Sequence, residues 1–208
     1  MITIGDSITF QMKWTNPIVV SLEAYYSATI TTAGLNGHKP MAVGSSRIIP
    51  LINNDFVGQQ LGNSIYERVD DAHFYSPEII FLMGGTNDAY PTGCGTIADE
   101  VYTGDAVTEN PPSFYSAYKG TLKKLTEQNP DARIVCLTPL YSIDVSVAQK
   151  EPYITAVMEC AALYGLEALD LFHDVGIDAT NYATYLADGV HPNDAGGLLI
   201  GNYIASQL

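Results

Sequence analysis

Basic residues are scarce in this sequence. It has 9 lysines and arginines against 23 aspartates and glutamates, which gives a formal net charge of −14. Such a charge repels the phosphate backbone of nucleic acids and the surface of anionic lipid, and no cluster of lysines and arginines offsets it locally. We therefore expect neither a nucleic acid nor an anionic membrane surface as a partner.

Cysteines and long apolar runs are also few. The three cysteines, Cys94, Cys136 and Cys160, include no C-x-x-C pair, and no histidine lies near them at the spacing of a metal ligand. We therefore expect no disulfide framework and no metal. We also expect no cofactor, since neither a P-loop nor a G-x-G-x-x-G pattern occurs. The longest apolar runs, such as residues 79–85, are far shorter than the ~20 residues of a membrane span.

The length and the apolar pattern predict one α/β domain over residues 1–208. A chain of 208 residues is too short for two domains with substantial cores. Short β-branched runs alternate with stretches of helical spacing, which is typical of a doubly wound parallel sheet. The predicted strands are residues 2–5, 40–44, 78–84, 133–138 and 166–170, and the predicted helices are residues 17–29, 57–72, 113–128, 148–164 and 193–207.

Residues 88–112 do not fit this alternation. The segment is rich in glycine, threonine and proline and is much longer than an ordinary connection in an α/β fold. Two interpretations stay open: a mobile surface excursion, and a wall or lid over a site at the end of the preceding strand.

The first candidate for chemistry is Ser7, in the stretch "GDSIT" that follows the first predicted strand. Residues at the carboxyl ends of parallel strands form the ligand crevice of α/β folds. Ser7 is therefore either a nucleophile or a helix N-cap, and the stretch alone does not decide between them. The G-x-S-x-G elbow of α/β-hydrolases is absent, because Thr9 occupies its last glycine position.

A serine nucleophile needs an imidazole base and an acid that orients it. The sequence has four histidines, His38, His73, His173 and His191. We interpret His38, at a strand entry, and His73, after a helical run, as structural residues.

The other two histidines each follow an aspartate by three residues. Asp170 precedes His173 at the end of a strand, and Asp188 precedes His191 just before the last predicted helix. Either spacing lets one turn bring a carboxylate onto a ring nitrogen, so the spacing does not choose between the pairs. Local chemistry favours the second pair, since Gly189 permits a tight turn, whereas Asp170 could be an ordinary helix cap.

Two further positions could supply hydrogen-bond donors to a substrate. Asn87 lies in "MGGTNDAY", at the end of the most hydrophobic strand, where its amide could donate to a substrate or could belong to a local Asx turn. Gly44, in "VGSSRI", would let a backbone N–H approach a ligand closely.

Taken in order, "GDSIT", the glycine after the second strand, "GTND" and "DGVHP" resemble the four sequence blocks of the GDSL, or SGNH, hydrolase superfamily. The resemblance extends over the whole chain. The second block departs most from the family pattern, because Ala42 stands where the family often has asparagine.

The resemblance implies a three-layer α/β/α, flavodoxin-like sandwich, in agreement with the five parallel strands predicted above. It also implies a serine esterase in which Ser7 is the nucleophile, His191 the base and Asp188 the acid that orients it. The backbone N–H groups of Ser7 and Gly44 and the side chain of Asn87 would then form the oxyanion hole.

The aromatic residues near these blocks suggest the substrate. Trp14 and Tyr90 are candidate substrate contacts, and Tyr141 and Tyr185 also lie near predicted catalytic loops. An aromatic-edged cleft suits sugar rings, so we predict a carbohydrate O-acetylesterase. The alternatives are a lysophospholipase, a thioesterase or an acyltransferase of the same family, and a glycan-binding module without catalysis. The compartment, cytoplasmic or extracellular, and the oligomeric state stay open.

Overall fold

The computed structural model describes residues 1–6, 8, 39–42, 64–88, 93–104 and 111–208. The predicted helix over residues 17–29 lies outside these ranges, as does His38.

The described strands form one parallel sheet of five, in the order β2-β1-β3-β4-β5. The strands are β1 (Ile2–Gly5), β2 (Lys39–Ala42), β3 (Ile79–Met83), β4 (Arg133–Leu137) and β5 (Glu167–Leu169). All five predicted strands are confirmed within one or two residues of their ends. Because β2 and β3 pair with opposite sides of β1, the strand order reverses there, and the carboxyl ends of these three strands border the crevice where α/β folds bind ligands.

Helices connect and flank the strands. They are α1 (Ile65–Arg68), followed by a 3-10 helix (Val69–Tyr75), α2 (Phe114–Gln128), α3 (Val147–Leu163), α4 (Leu171–Asp174), α5 (Tyr182–Tyr185) and α6 (Asp194–Ser206). The predicted helices over 113–128, 148–164 and 193–207 are confirmed, with Ser113 and Asn193 as N-caps. The sequence did not reveal α4 and α5, since four residues are too few to show a helical period.

The predicted helix over residues 57–72 is confirmed only in part: its described part begins at Ile65 and is an α-helix only to Arg68, and residues 57–63 lie outside the described ranges. The Ser64 hydroxyl accepts the Glu67 N–H at 3.2 Å, and the Glu67 carboxylate accepts the Ser64 N–H at 3.0 Å. This capping box starts a helix at Ile65, and after one turn the chain tightens into the 3-10 helix. The apolar spacing that suggested one long helix gives no information about such a cap.

Apolar side chains cover both faces of the sheet. Along β3, Ile80 and Leu82 pack with α1, α2 and α3, whereas Phe81 and Met83 pack with α4 and α6 on the opposite face. All four side chains are fully buried. This explains why β3 is an uninterrupted apolar run, as is usual for the strands of parallel sheets with two covered faces, and it confirms the three-layer α/β/α fold.

The described part of the segment over residues 88–112 is anchored to the sandwich. The buried ammonium of Lys119 on α2 donates to the carbonyl of Ile97 at 3.0 Å, and the Tyr102 side chain is 6% exposed. A mobile excursion therefore does not describe residues 93–104.

In the described ranges no helix combines the length and the apolar character that crossing a bilayer requires.

Candidate active site

The loop from Asp188 to His191 is built around one carboxylate. Asp188 Oδ1 accepts the backbone N–H groups of Val190, at 3.0 Å, and of His191, at 2.8 Å, while Oδ2 lies 2.7 Å from His191 Nδ1. Gly189 makes this tight turn possible because it has a φ of +84°, which L side chains rarely adopt. The turn therefore fixes the imidazole with Nδ1 toward Asp188 and Nε2 at the opposite end of the ring.

The same hydrogen bonds keep Asp188 ionised. The backbone N–H of His191 and then its ring lower the pKa of Asp188 to about 2, and burial opposes this effect. A carboxylate with this pKa does not take a proton near neutral pH. Asp188 is thus suited to orient an imidazole and to stabilise its protonated form, and unsuited to act as a base.

Both ends of this loop are fixed by backbone hydrogen bonds. The Ala187 N–H donates to the His191 carbonyl at 2.8 Å, and the Asn193 N–H donates to the Tyr185 carbonyl at 2.9 Å. The Asn193 side chain then caps α6 by accepting the Gly196 N–H at 3.0 Å. The start of a thirteen-residue helix therefore anchors the carboxyl end of this loop.

The pair of Asp170 and His173 has nearly the same local geometry but a different environment. His173 Nδ1 lies 2.7 Å from Asp170 Oδ2, and its Nε2 lies 3.1 Å from Glu151 Oε1. The hydrogen bond with Asp170 raises the pKa of His173 most, and the hydrogen bond with Glu151 raises it further. An imidazole held between two carboxylates is suited to an ion pair that joins α3 to the β5 end.

Asp170 also acts as the helix cap that the sequence suggested. Its Oδ1 accepts the His173 backbone N–H at 3.3 Å at the start of α4. The contact with Glu151 could not be foreseen, because Glu151 comes from α3, more than twenty residues earlier in the chain.

Asp6, immediately before Ser7, is a fully buried carboxyl group that sequence reasoning did not identify as titratable. Its Oδ1 accepts the Ile8 N–H at 3.0 Å, while Oδ2 and the nearby Thr86 hydroxyl are buried without a well-formed hydrogen bond in the described part of the chain. Burial raises the pKa of Asp6 to about 6, opposed by the Ile8 N–H, by the Thr86 hydroxyl and by the charges of His191 and Arg68. The residue next to Ser7 therefore lies within electrostatic reach of His191.

Arg68 brings a positive charge to the same edge of the sheet. Its Nη2 donates to the Gly5 carbonyl, the last of β1, at 3.1 Å. Burial lowers the pKa of Arg68 to about 10, and the charge of Asp6 opposes this effect. No local signal in the sequence marks Arg68, since it belongs to a short helix some sixty residues after Gly5.

The turn after β3 exposes Asn87 more than its neighbours. Gly85 has a φ of +110°, and the Asp88 N–H closes the turn on the Gly85 carbonyl at 3.3 Å. Thr86 and Asp88 are buried on either side, whereas Asn87 is partly exposed. This arrangement is compatible with an amide that faces a substrate.

Four of the predicted site residues lie outside the described part of the chain: Ser7, Gly44, Trp14 and Tyr90. Their roles stay predictions. Within the described ranges, no three histidine, cysteine, aspartate or glutamate side chains are grouped so that they could hold a metal ion.

The burial of the Asp6 carboxyl group leads to a prediction about the pH dependence of stability. The pKa of Asp6 rises from 3.8 to about 6 on folding, so ionisation costs the folded state about 3 kcal/mol above pH 6. Stability linked to this group is full below its unfolded pKa and is lost as pH rises through about 6. The free energy of unfolding of Asp6→Asn, relative to the original protein, should therefore increase by about 3 kcal/mol between pH 3.5 and pH 7.5.

Urea unfolding of both proteins at the two pH values measures this difference. The matched control is Asp131→Asn, which makes the same replacement at an exposed position. If the difference in the free energy of unfolding between Asp6→Asn and the original protein does not change with pH, burial does not raise the pKa of the Asp6 carboxyl group.

Comparisons with known proteins agree with this architecture. The model of the family described as GDSL-like Lipase/Acylhydrolase matches residues 3–197. A protein from Lactobacillus plantarum is similar in structure, with a TM-score of 0.70 and 20% identity over 100% of this chain and 94% of that one. A lipase/acylhydrolase from Enterococcus faecalis is similar with a TM-score of 0.62 and 14% identity, covering 99% of this chain and 93% of that one.

A third similar structure is the periplasmic domain of a lipopolysaccharide acetyltransferase from Salmonella Paratyphi A. It has a TM-score of 0.59 and 14% identity, covering 99% of this chain and 82% of that one. Among curated proteins no match is found. At these identities the structural similarities establish the fold, and the family match covers nearly the whole chain.

Proposed function

Because this chain belongs to the GDSL-like lipase/acylhydrolase family and is a carboxylic ester hydrolase, we propose that it cleaves acyl esters through a covalent intermediate on Ser7. The observation that carries the proposal is the pair of His191 and the ionised Asp188, in electrostatic reach of the residue that precedes Ser7. An oriented imidazole beside a serine is the arrangement that activates a hydroxyl nucleophile.

In the proposed reaction, His191 takes the proton of the Ser7 hydroxyl as its oxygen attacks the carbonyl carbon of the ester. The tetrahedral oxyanion accepts hydrogen bonds from the backbone N–H groups of Ser7 and Gly44 and from the Asn87 amide. The carbon–oxygen bond of the leaving alcohol then breaks, and His191 returns the proton to that alcohol. His191 next deprotonates a water molecule, whose oxygen attacks the carbonyl carbon of the acyl-Ser7 ester. The bond between that carbon and the Ser7 oxygen then breaks, the acid leaves, and His191 returns the proton to the Ser7 oxygen. Asp188 holds the imidazole throughout.

For the substrate, we infer an acetyl ester on a carbohydrate. The side chains of Asp188 and His191 are 58% and 25% exposed, so the pair is accessible to an ester that projects from a bulky sugar ring. The net charge of −14 disfavours phospholipids and coenzyme A thioesters as substrates, because both carry phosphate groups. Trp14 and Tyr90 are proposed contacts for the sugar.

An acyltransferase is the second candidate. The observation that favours it is the similarity in fold to the lipopolysaccharide acetyltransferase domain. The two candidates share the acyl-Ser7 intermediate and differ only in whether water or a sugar hydroxyl accepts the acyl group.

A panel of esters tests the substrate proposal. We expect kcat/KM for p-nitrophenyl acetate to exceed that for the octanoate ester by about tenfold or more, since a site shaped for acetyl excludes the longer chain. Acetate release from acetylated xylan or pectin should accompany this preference. A preference for octanoate would contradict the carbohydrate proposal, and transfer to an added alcohol in preference to water would identify the acyltransferase.

A further inference from the structure

A buried lysine lies near the proposed catalytic loop without belonging to it. Lys150 is 1% exposed and lies in the first turn of α3, where the helix dipole disfavours a cation. Burial lowers its pKa to about 8, and the charges of Asp144 and Asp6 oppose this effect. Burial and the helix dipole therefore both disfavour a charged side chain at this position.

The ammonium contacts every second residue from 140 to 144 in the segment that joins β4 to α3. This segment, residues 138–146, is here called the β4–α3 loop. Lys150 Nζ donates to the Leu140 carbonyl at 3.2 Å and to the Ser142 hydroxyl, and it lies 3.9 Å from Asp144 Oδ1. The Ser142 hydroxyl in turn donates to Asp144. One cation therefore links three residues within the five-residue stretch 140–144.

The β4–α3 loop contacts the turn that carries the catalytic pair. The Ile143 N–H donates to the Gly189 carbonyl at 3.0 Å. The Ile143 side chain also covers Gly189, since a Cβ atom added there would lie 2.4 Å from Ile143 Cδ1. Gly189 directly follows Asp188 and lies two residues before His191.

Ile143 is not held in place by burial, because it is 52% exposed. Its neighbour Ser142 is 3% exposed and is bound to Lys150. The contact with Gly189 therefore depends on the loop conformation that the ammonium stabilises, and the path from Lys150 to the catalytic pair has two steps: ammonium to loop, and loop to turn.

We propose that Lys150 is a positioning residue for the ester hydrolysis proposed above: its ammonium holds the β4–α3 loop against Gly189 and so fixes the orientation of His191. Because this role concerns the orientation of the base and not the binding of substrate, its loss should reduce kcat with little change in KM. A displacement of about 1 Å of a catalytic group can lower the rate by about a hundredfold.

The test compares Lys150→Met with Lys119→Met. Lys119 is also buried, at 3% exposed, and its ammonium also binds backbone carbonyls, those of Ile97 and Asp99, in a different loop. We expect Lys150→Met to lower kcat for p-nitrophenyl acetate about ten- to a hundredfold with KM within about twofold. Lys119→Met should leave kcat unchanged even if its KM or its melting temperature changes, because its ammonium holds residues 93–104 and not the turn with Asp188. Equal kcat values for the two variants would overturn the proposal.

A second readout does not depend on hydrolysis. The proton shared by His191 Nδ1 and Asp188 should give a strongly deshielded NMR signal, assigned by its loss in His191→Gln. We expect this signal to shift or broaden in Lys150→Met and to stay unchanged in Lys119→Met. If the original protein hydrolyses no ester, the proposed function fails, while this signal still tests the positioning role.

A milder variant covers the case in which Lys150→Met does not fold. Ser142→Ala removes one contact of the ammonium and leaves the Leu140 carbonyl in place. We expect a smaller fall in kcat in the same direction and a smaller change of the His191 signal. An unchanged signal and an unchanged kcat in folded Ser142→Ala would overturn the proposal.

Discussion

Ser7→Ala is expected to reduce the hydrolysis of p-nitrophenyl acetate by about a thousandfold or more, because the acyl group can no longer bind covalently to the enzyme. The measurement is kcat/KM for this ester, together with thermal unfolding of both proteins. If Ser7 were only a helix N-cap, alanine would cost about 1 kcal/mol of stability and leave the activity intact. The experiment therefore separates the two interpretations that the stretch "GDSIT" leaves open.

A fluorophosphonate probe provides the control for this variant. The probe should label the folded original protein at the peptide that contains Ser7, and it should label neither Ser7→Ala nor the urea-unfolded protein. Wild-type turnover in Ser7→Ala, or labelling at another serine, would contradict the assignment of the nucleophile. A glycan-binding protein without catalysis would give no labelling at all.

The second large effect concerns the two pairs of aspartate and histidine. His191→Gln should lower kcat by about a thousandfold or more at pH 8, because glutamine cannot accept the proton of Ser7. His173→Gln removes an imidazole from a pair with the same spacing and nearly the same hydrogen bond, and it should leave kcat within about twofold. The measurement is the kcat of both variants and of the original protein under identical conditions.

His173→Gln should instead change the pH dependence of stability. Because Asp170 and Glu151 raise the pKa of His173 above 6.5, its contribution is fully present below pH 6.5 and is lost as pH rises through the folded pKa. The loss of stability in His173→Gln should therefore be larger at pH 5.5 than at pH 9, as measured by urea unfolding. A large loss of kcat in His173→Gln with none in His191→Gln would reverse the assignment of the base.

The sequence predicted the sheet well because buried parallel strands are short apolar runs between polar turns. Strand β3 shows this most clearly, since each of its five residues is buried. The helix limits at Phe114 and Asp194 were also predictable, because Ser113 and Asn193 are good N-caps. The start of α1 was missed, since an apolar period does not show that Ser64 and Glu67 cap each other.

The site was predictable only where its chemistry is local. The spacing of Asp188 and His191 is local, and their hydrogen bond follows from it. The burial of Asp6 and the contacts of Arg68 and Lys150 depend on packing between segments that are distant in the chain, which the residue pattern of a single segment does not contain.

The position of β1 between β2 and β3 has a consequence for how the substrate range can change. The segment containing Gly44 follows β2 and the turn with Asn87 follows β3, so residues on either side of the Ser7 strand come from separate parts of the chain. The register of each strand against β1 fixes where its loop starts. We therefore expect that the parts of these loops beyond Gly44 and Asn87 can be changed on one flank at a time. Engineering of selectivity should keep Gly44 and Asn87, because both are proposed donors to the oxyanion, and vary the residues that follow them.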